Sequence, residues 1–102
     1  MRTIGHFIDG VETSGNSAEF QDVFNPATGE VQARVALATQ ADLDAAVASA
    51  GAAQPRWAAT NPQRRARVFF NFVALINRDL DVLAALLSAE HGKTVEDAKG
   101  DI

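Results

Sequence analysis

The chain of 102 residues contains no cysteine. That absence removes a disulfide framework, a thiolate metal site and a cysteine nucleophile from consideration on this chain. Basic residues are also few, nine Lys and Arg against thirteen Asp and Glu, for a formal net charge of −4. Phosphate backbones are bound through positive patches, so nucleic acid is not an expected partner. Long apolar runs are missing as well. No segment approaches the roughly 20 apolar residues of a spanning helix, and residues 1–10 hold no apolar core of signal-peptide length. The expectation is a protein without a membrane partner, placed in the cytoplasm or, in a eukaryote, the mitochondrial matrix.

Catalytic signatures are equally sparse. His6 and His91 are the only histidines, and neither lies within helical or hairpin reach of a carboxylate pair, so no metal site is expected. His91 suits a helix C-terminus, where a cation is favoured. Ser14, Ser17, Ser49 and Ser88 lack a nucleophile-elbow context. Gly92-Lys93-Thr94 ends like a phosphate loop, but the glycine that motif requires five residues before Gly92 is Leu87. No glycine-rich dinucleotide fingerprint occurs. Asp42 and Asp97 read as helix caps, Asp44 as first-turn dipole compensation, and Glu90 and Glu96 as solvated faces. Among Arg64, Arg65 and Arg67, the three-residue spacing puts Arg64 and Arg67 on one face with Arg65 elsewhere, which suits a solvated face or inter-domain ion pairs. The residues alone therefore give no catalytic, cofactor-binding or metal-ligating position.

What the chain does hold is a fold pattern, with 47% hydrophobic and 22% charged residues, ordinary for a globular domain. Residues 61–93 organise it. Asn61 is a good N-cap and Pro62 suits the first helical position. Ala66, Phe69, Phe70, Val73 and Leu75-Ile76 then recur at three- and four-residue steps, a face built for burial. Asp79 can cap a second run from Leu80 to Glu90, with Leu83, Leu86 and Leu87 as its apolar stripe and Gly92 as its left-handed stop.

Upstream the period is two. Phe7-Ile8, Asp9-Gly10 and Val11-Glu12-Thr13 predict a hairpin with a tight primed turn. Residues 19–24 read as a strand, Asn25-Pro26-Ala27-Thr28-Gly29-Glu30 as a turn, and Val31 to Val35 as the returning strand. Thr39-Gln40-Ala41-Asp42 resembles a capping box, followed by a helix whose apolar side is Leu43, Ala46, Val47 and Ala50. Gly51 to Pro55 is expected to end it, leaving Trp57 to pin a connecting segment by core packing. Thr94 caps a last helix that has barely begun at Ile102, which leads to the expectation that the chain is the front of something longer. The predicted class is α+β, with hairpin strands over residues 1–37 and helices over 38–102.

The order of these pieces carries a resemblance. Phe7-Ile8-Asp9-Gly10, Phe24-Asn25-Pro26-Ala27-Thr28-Gly29-Glu30, Ala45-Ala46-Val47 on a capped helix, Trp57, Arg64 and Glu90-His91-Gly92-Lys93-Thr94 together look like the opening of an aldehyde dehydrogenase. It covers nearly all of residues 1–102. The wording from Ser88 to Thr94 and the start at His6 are similar to the methylmalonate-semialdehyde dehydrogenase branch. Gln54-Pro55 departs from the pattern, because many members carry an aromatic residue shortly before the tryptophan.

The resemblance implies an NAD-binding α/β domain, of which this chain is part, together with a catalytic domain and an oligomerisation arm in a homo-oligomer. In such enzymes a cysteine thiolate adds to the aldehyde, hydride passes to NAD, and water or coenzyme A resolves the thioester. The nucleophile, the general-base glutamate, the oxyanion-hole asparagine and the nicotinamide-binding units of the family all lie downstream, and none maps onto a residue here. The chain alone is expected to be inactive and to bind no cofactor, with the rest of the dehydrogenase as its partner. Two rivals stand beside this reading: a stand-alone helical interaction module, and a small nucleotide-binding protein that lacks the necessary loop.

Overall fold

The computed structural model describes all 102 residues as five strands and four helices. The chain divides into two compact units, one of residues Met1–Phe24 and Val31–Ala59, the other of Asn25–Glu30 and Thr60–Ile102.

In the first unit, β2 (His6–Ile8) and β3 (Val11–Thr13) form the expected hairpin, with Phe7 opposite Glu12. Asp9 and Gly10 have φ of 54° and 75°. Both central residues are thus left-handed, which is the twist a two-residue hairpin turn requires. β4 (Phe20–Phe24) pairs antiparallel with β5 (Val31–Ala36), and the ladder is irregular between Val23 and Phe24.

β5 is also paired on its other side. β1 (Arg2–Ile4) runs parallel to it in the order β1-β5-β4, with Thr3 opposite Arg34. The sequence reading anticipated only hairpin strands here. Three residues are too few to show alternation, and the partner lies about thirty positions away, beyond any local signal.

α1 (Gln40–Ala59) corrects a second expectation, because it runs unbroken through Gly51 and Pro55 and includes Trp57. Pro55 removes one N–H from the ladder, but residues 51–59 are all exposed, so the freed carbonyl is left to solvent. The alanine-rich sequence supplies the propensity to continue. Of the apolar side expected for this helix only Ala46 is half-buried. Leu43 and Val47 are exposed, and Asp42 is the residue turned inward.

The second unit is helical. Asn61 caps α2 (Pro62–Arg78), its Oδ1 accepting from the Gln63 N–H at 2.8 Å. α3 (Leu80–His91) follows at once. Asp79 does not cap it through its side chain. Its carboxylate instead accepts from Arg78 Nε at 2.9 Å and Nη2 at 2.7 Å, an adjacent cation with two donors having displaced the cap.

α3 stops at Gly92, φ 88°, whose N–H reaches the Ser88 carbonyl. Thr94 then caps α4 (Val95–Asp101) by accepting from the Asp97 N–H. Leu80, Leu83, Ala84, Leu87 and Ser88 are the inward stripe of α3, with Leu86 outside it. α3 and α4 approach closely because Ala84 and Ala98, both fully buried, stand where larger side chains would separate them. Lys99 bridges Asp81 at 3.2 Å and Glu96 at 3.4 Å, and Lys93 pairs with Asp101. The buried apolar residues of the chain are four alanines, Ala33, Ala36, Ala84 and Ala98, and no large side chain is fully enclosed.

Candidate functional site

Asp42 is the only buried charged residue, 5% exposed. Its Oδ2 accepts from the Thr39 N–H at 2.8 Å and the Thr39 hydroxyl at 2.7 Å. From the loop before β4, Asn16 donates to Oδ1 through Nδ2 at 2.6 Å and through its backbone N–H at 3.1 Å. The reciprocal half of the capping box is present too, Asp42 N–H to Thr39 Oγ1 at 3.2 Å.

Donors aimed at the charged form, first the Thr39 N–H, then its hydroxyl, with Asn16 adding to them against the effect of burial, lower the Asp42 pKa from the usual 3.8 to about 2. A carboxylate saturated with donors and ionised at neutral pH is a poor proton acceptor. It acts as an anchor, holding the Asn16 loop to the start of α1. The cap was readable from Thr39 and Asp42. The Asn16 bond, 26 residues away, was not.

His6 lies beside this anchor. A Cβ placed on Gly15 would be 2.7 Å from His6 Nε2 and 3.3 Å from Asp42 Oδ2, and Nε2 is buried without a hydrogen-bond partner. The imidazole is packed rather than presented to solvent. An open groove of about 350 Å³ lies between the hairpin tip, Phe7 to Gly10, and Ala46, Ser49, Ala50 and Ala53 of α1. Asp9 is its one ionisable group, which leaves no second group for acid–base work. No group of three or more His, Cys, Asp or Glu residues is placed to hold a metal ion, and no helix is long and apolar enough to cross a membrane.

The most distinctive surface is α2. Its sequence reads as a buried face, yet Phe69, Phe70 and Phe72 are 60%, 73% and 56% exposed, and Val68, Val73 and Leu75 are about half exposed with them. Exposed apolar area of this extent on one helix is uncommon on a soluble monomer.

The arginines of α2 separate as their spacing implied. Arg64 and Arg67 are exposed, whereas Arg65 is half-buried with an unpartnered, buried Nε. At roughly 100° per residue, Arg65 projects along the line of Phe69, Phe72 and Ile76. It therefore stands inside the apolar face, where spacing from Arg64 and Arg67 alone did not place it.

Residues 13–102 match the model of the aldehyde dehydrogenase family. The chain is 42% identical over 100 residues to the human mitochondrial methylmalonate-semialdehyde/malonate-semialdehyde dehydrogenase [acylating], covering 98% of this chain and 19% of that protein. It is 43% identical over 104 residues to the malonate-semialdehyde dehydrogenase of Pseudomonas aeruginosa, covering 100% and 20%. Among solved structures, a chain from Sinorhizobium meliloti 1021 that carries the name methylmalonate-semialdehyde dehydrogenase and was crystallised with NAD superposes with a TM-score of 0.97 at 65% identity. That superposition covers 100% of this chain and 21% of the other. The methylmalonate-semialdehyde dehydrogenase of Oceanimonas doudoroffii superposes with a TM-score of 0.94 at 40% identity, covering 99% and 20%. The chain thus spans about a fifth of the length of the relatives it matches.

Proposed function

The chain belongs to the aldehyde dehydrogenase family, and from that premise we propose that it is the N-terminal segment of an NAD-dependent, CoA-acylating dehydrogenase of methylmalonate semialdehyde or a similar semialdehyde. The observation that carries this is the superposition over the full chain at 65% identity on a relative crystallised with NAD. The acylating reaction follows from the names of the human and related enzymes.

Atoms balance as aldehyde, NAD⁺ and the thiol of coenzyme A giving acyl-CoA, NADH and a proton. A nucleophile must add to the aldehyde before hydride can leave, and a thiolate is the fitting one because the resulting thioester can pass to coenzyme A. That thiolate must come from outside these residues, since the chain has no cysteine.

The residues present do not form a cradle for NAD. The chain has no glycine-rich strand-to-helix turn, and the buried carboxylate, Asp42, has its acceptor positions taken by Thr39 and Asn16. The part this segment plays is architectural: the strands and α1 form one packed unit, and α2 offers an apolar face to the remainder of the polypeptide. We place the parent enzyme in the cytoplasm, or in the mitochondrial matrix where the organism is eukaryotic, in keeping with the mitochondrial names of the eukaryotic relatives.

The test is a full-length chimera in which this chain replaces its counterpart in the Sinorhizobium meliloti relative. NADH formation from methylmalonate semialdehyde, with and without coenzyme A, is expected within about tenfold of the unsubstituted relative. An insoluble or inactive chimera beside an active relative would overturn the reading. The same α2 face supports the rival reading of a stand-alone interaction module. Native protein of 10.8 kDa in the source cells, rather than a species several times heavier, would favour that rival.

A further inference from the structure

We infer that the surface covering α2 in the complete dehydrogenase carries a carboxylate that receives Arg65, so that this arginine is a charged pin set in an apolar interface. The inference rests on the proposed function, because the covering surface is assigned to the remainder of the same polypeptide.

Charge distribution is the first support. α2 contains four arginines and no acidic residue. Arg64 and Arg67 are exposed beside the apolar line and Arg78 is paired with Asp79, which leaves Arg65 as the one cation on that line and no carboxylate of α2 to meet it. An acidic group opposite it is the complementary arrangement.

Position is the second. Arg65 falls in line with Phe69, Phe72 and Ile76, so any surface that covers the phenylalanines also covers the guanidinium. Covering it without an acceptor would strand a charge in an apolar contact.

The orphaned donor is the third. Arg65 Nε is already buried and has no hydrogen-bond partner, and buried donors in native structures are almost always satisfied. The planar fork of a guanidinium matches a carboxylate, which can take Nε and a terminal nitrogen together. A second copy of this chain is the poorer occupant, because an α2 face brought by another copy contains no carboxylate to receive the guanidinium.

The full-length chimera described above provides the test. Arg65→Met keeps apolar length without the charge, and Arg65→Lys keeps the charge without the fork. Arg65→Met is expected to lower the thermal midpoint by about 3 °C or more, with partial recovery in Arg65→Lys. Arg64→Met, on the exposed side, should change it by less than about 1 °C on the same scale.

A crystal structure of the unsubstituted chimera should place a carboxylate oxygen within about 3 Å of Arg65 Nε. It decides the matter even where Arg65→Met fails to fold. An Arg65→Met variant as stable as its parent would overturn the inference. So would a structure in which Arg65 meets only solvent, a backbone carbonyl or a second copy. An active chimera with a silent Arg65→Met removes the pin alone, whereas an inactive unsubstituted chimera removes the proposed function and the pin with it.

Discussion

Gly92 ends α3 in a conformation that other residues adopt only under strain, and Gly92→Ala should expose two separate penalties. With φ at 88° and ψ at 3°, an alanine would bring its Cβ against the neighbouring carbonyl, about 1–2 kcal/mol for a left-handed L-residue. The second penalty is steric. A Cβ built on Gly92 lies 2.9 Å from Pro26 Cγ and 3.4 Å from Pro26 Cβ. A proline ring cannot rotate away as a long side chain would, so the turn of residues 25–30 must shift. Overpacking of this kind costs upward of about 1 kcal/mol. Together the two come to about 2–3 kcal/mol, which for a domain of the usual size corresponds to about 5 °C or more in thermal midpoint.

The full-length chimera is the molecule to measure, by thermal denaturation followed with circular dichroism. Gly92→Asn should lose less of the conformational part, because asparagine tolerates the left-handed region better than alanine. In a Pro26→Gly background, Gly92→Ala should lose only the conformational part, so the two substitutions should couple. Equal midpoints for Gly92→Ala and the parent, or additivity of Gly92→Ala with Pro26→Gly, would refute this account of the close approach.

Asp42 makes the fold acid-sensitive. Its carboxyl is held at about 2 rather than the usual 3.8, so its contribution is present above about pH 4 and is lost as pH falls through the window between those values. Asp42→Asn should therefore lower the thermal midpoint at neutral pH, and the gap from the parent should narrow toward pH 3. A gap that does not change with pH would show that the hydrogen-bond geometry, and not the charge, is what matters. Asn61→Ala should destabilise α2 by about 1 kcal/mol, and Asn61→Gly by only a few tenths, measured as loss of helicity in urea; equal effects would remove the capping account. The isolated chain should self-associate through α2 in size-exclusion chromatography with light scattering. Phe69→Ser with Phe70→Ser should raise its apparent dissociation constant at least tenfold, since each buried phenylalanine is worth about 1.5–3 kcal/mol. A parent chain monomeric at high concentration would count against the exposed face being adhesive.

What was legible in the sequence is what is decided within a few residues. Asp9-Gly10 names its turn, Asn61-Pro62 its helix start, Gly92 its stop and Thr94 the next cap, because each of these acts on backbone groups no more than four positions away. The errors share the opposite character. The parallel pairing of Arg2–Ile4 with β5 and the Asn16 bond to Asp42 join residues far apart in sequence. Asp79 was lost as a cap to a competitor one residue away, Arg78, and Pro55 failed to stop α1 where solvent surrounds the interrupted ladder.

α2 is a different case, because there the pattern and the burial disagree. The spacing of Phe69, Phe70, Val73 and Ile76 is that of a buried face, and in these 102 residues only Ile76 is even half-buried. Apolar side chains left in water gain nothing from being collected on one side of a helix, so the pattern is accounted for by a surface these residues do not themselves supply. Arg65, half-buried in line with Phe72 and Ile76 and without an acceptor for its Nε, extends the same argument from shape to charge: under the inference drawn above, the covering surface is apolar and acidic at one point.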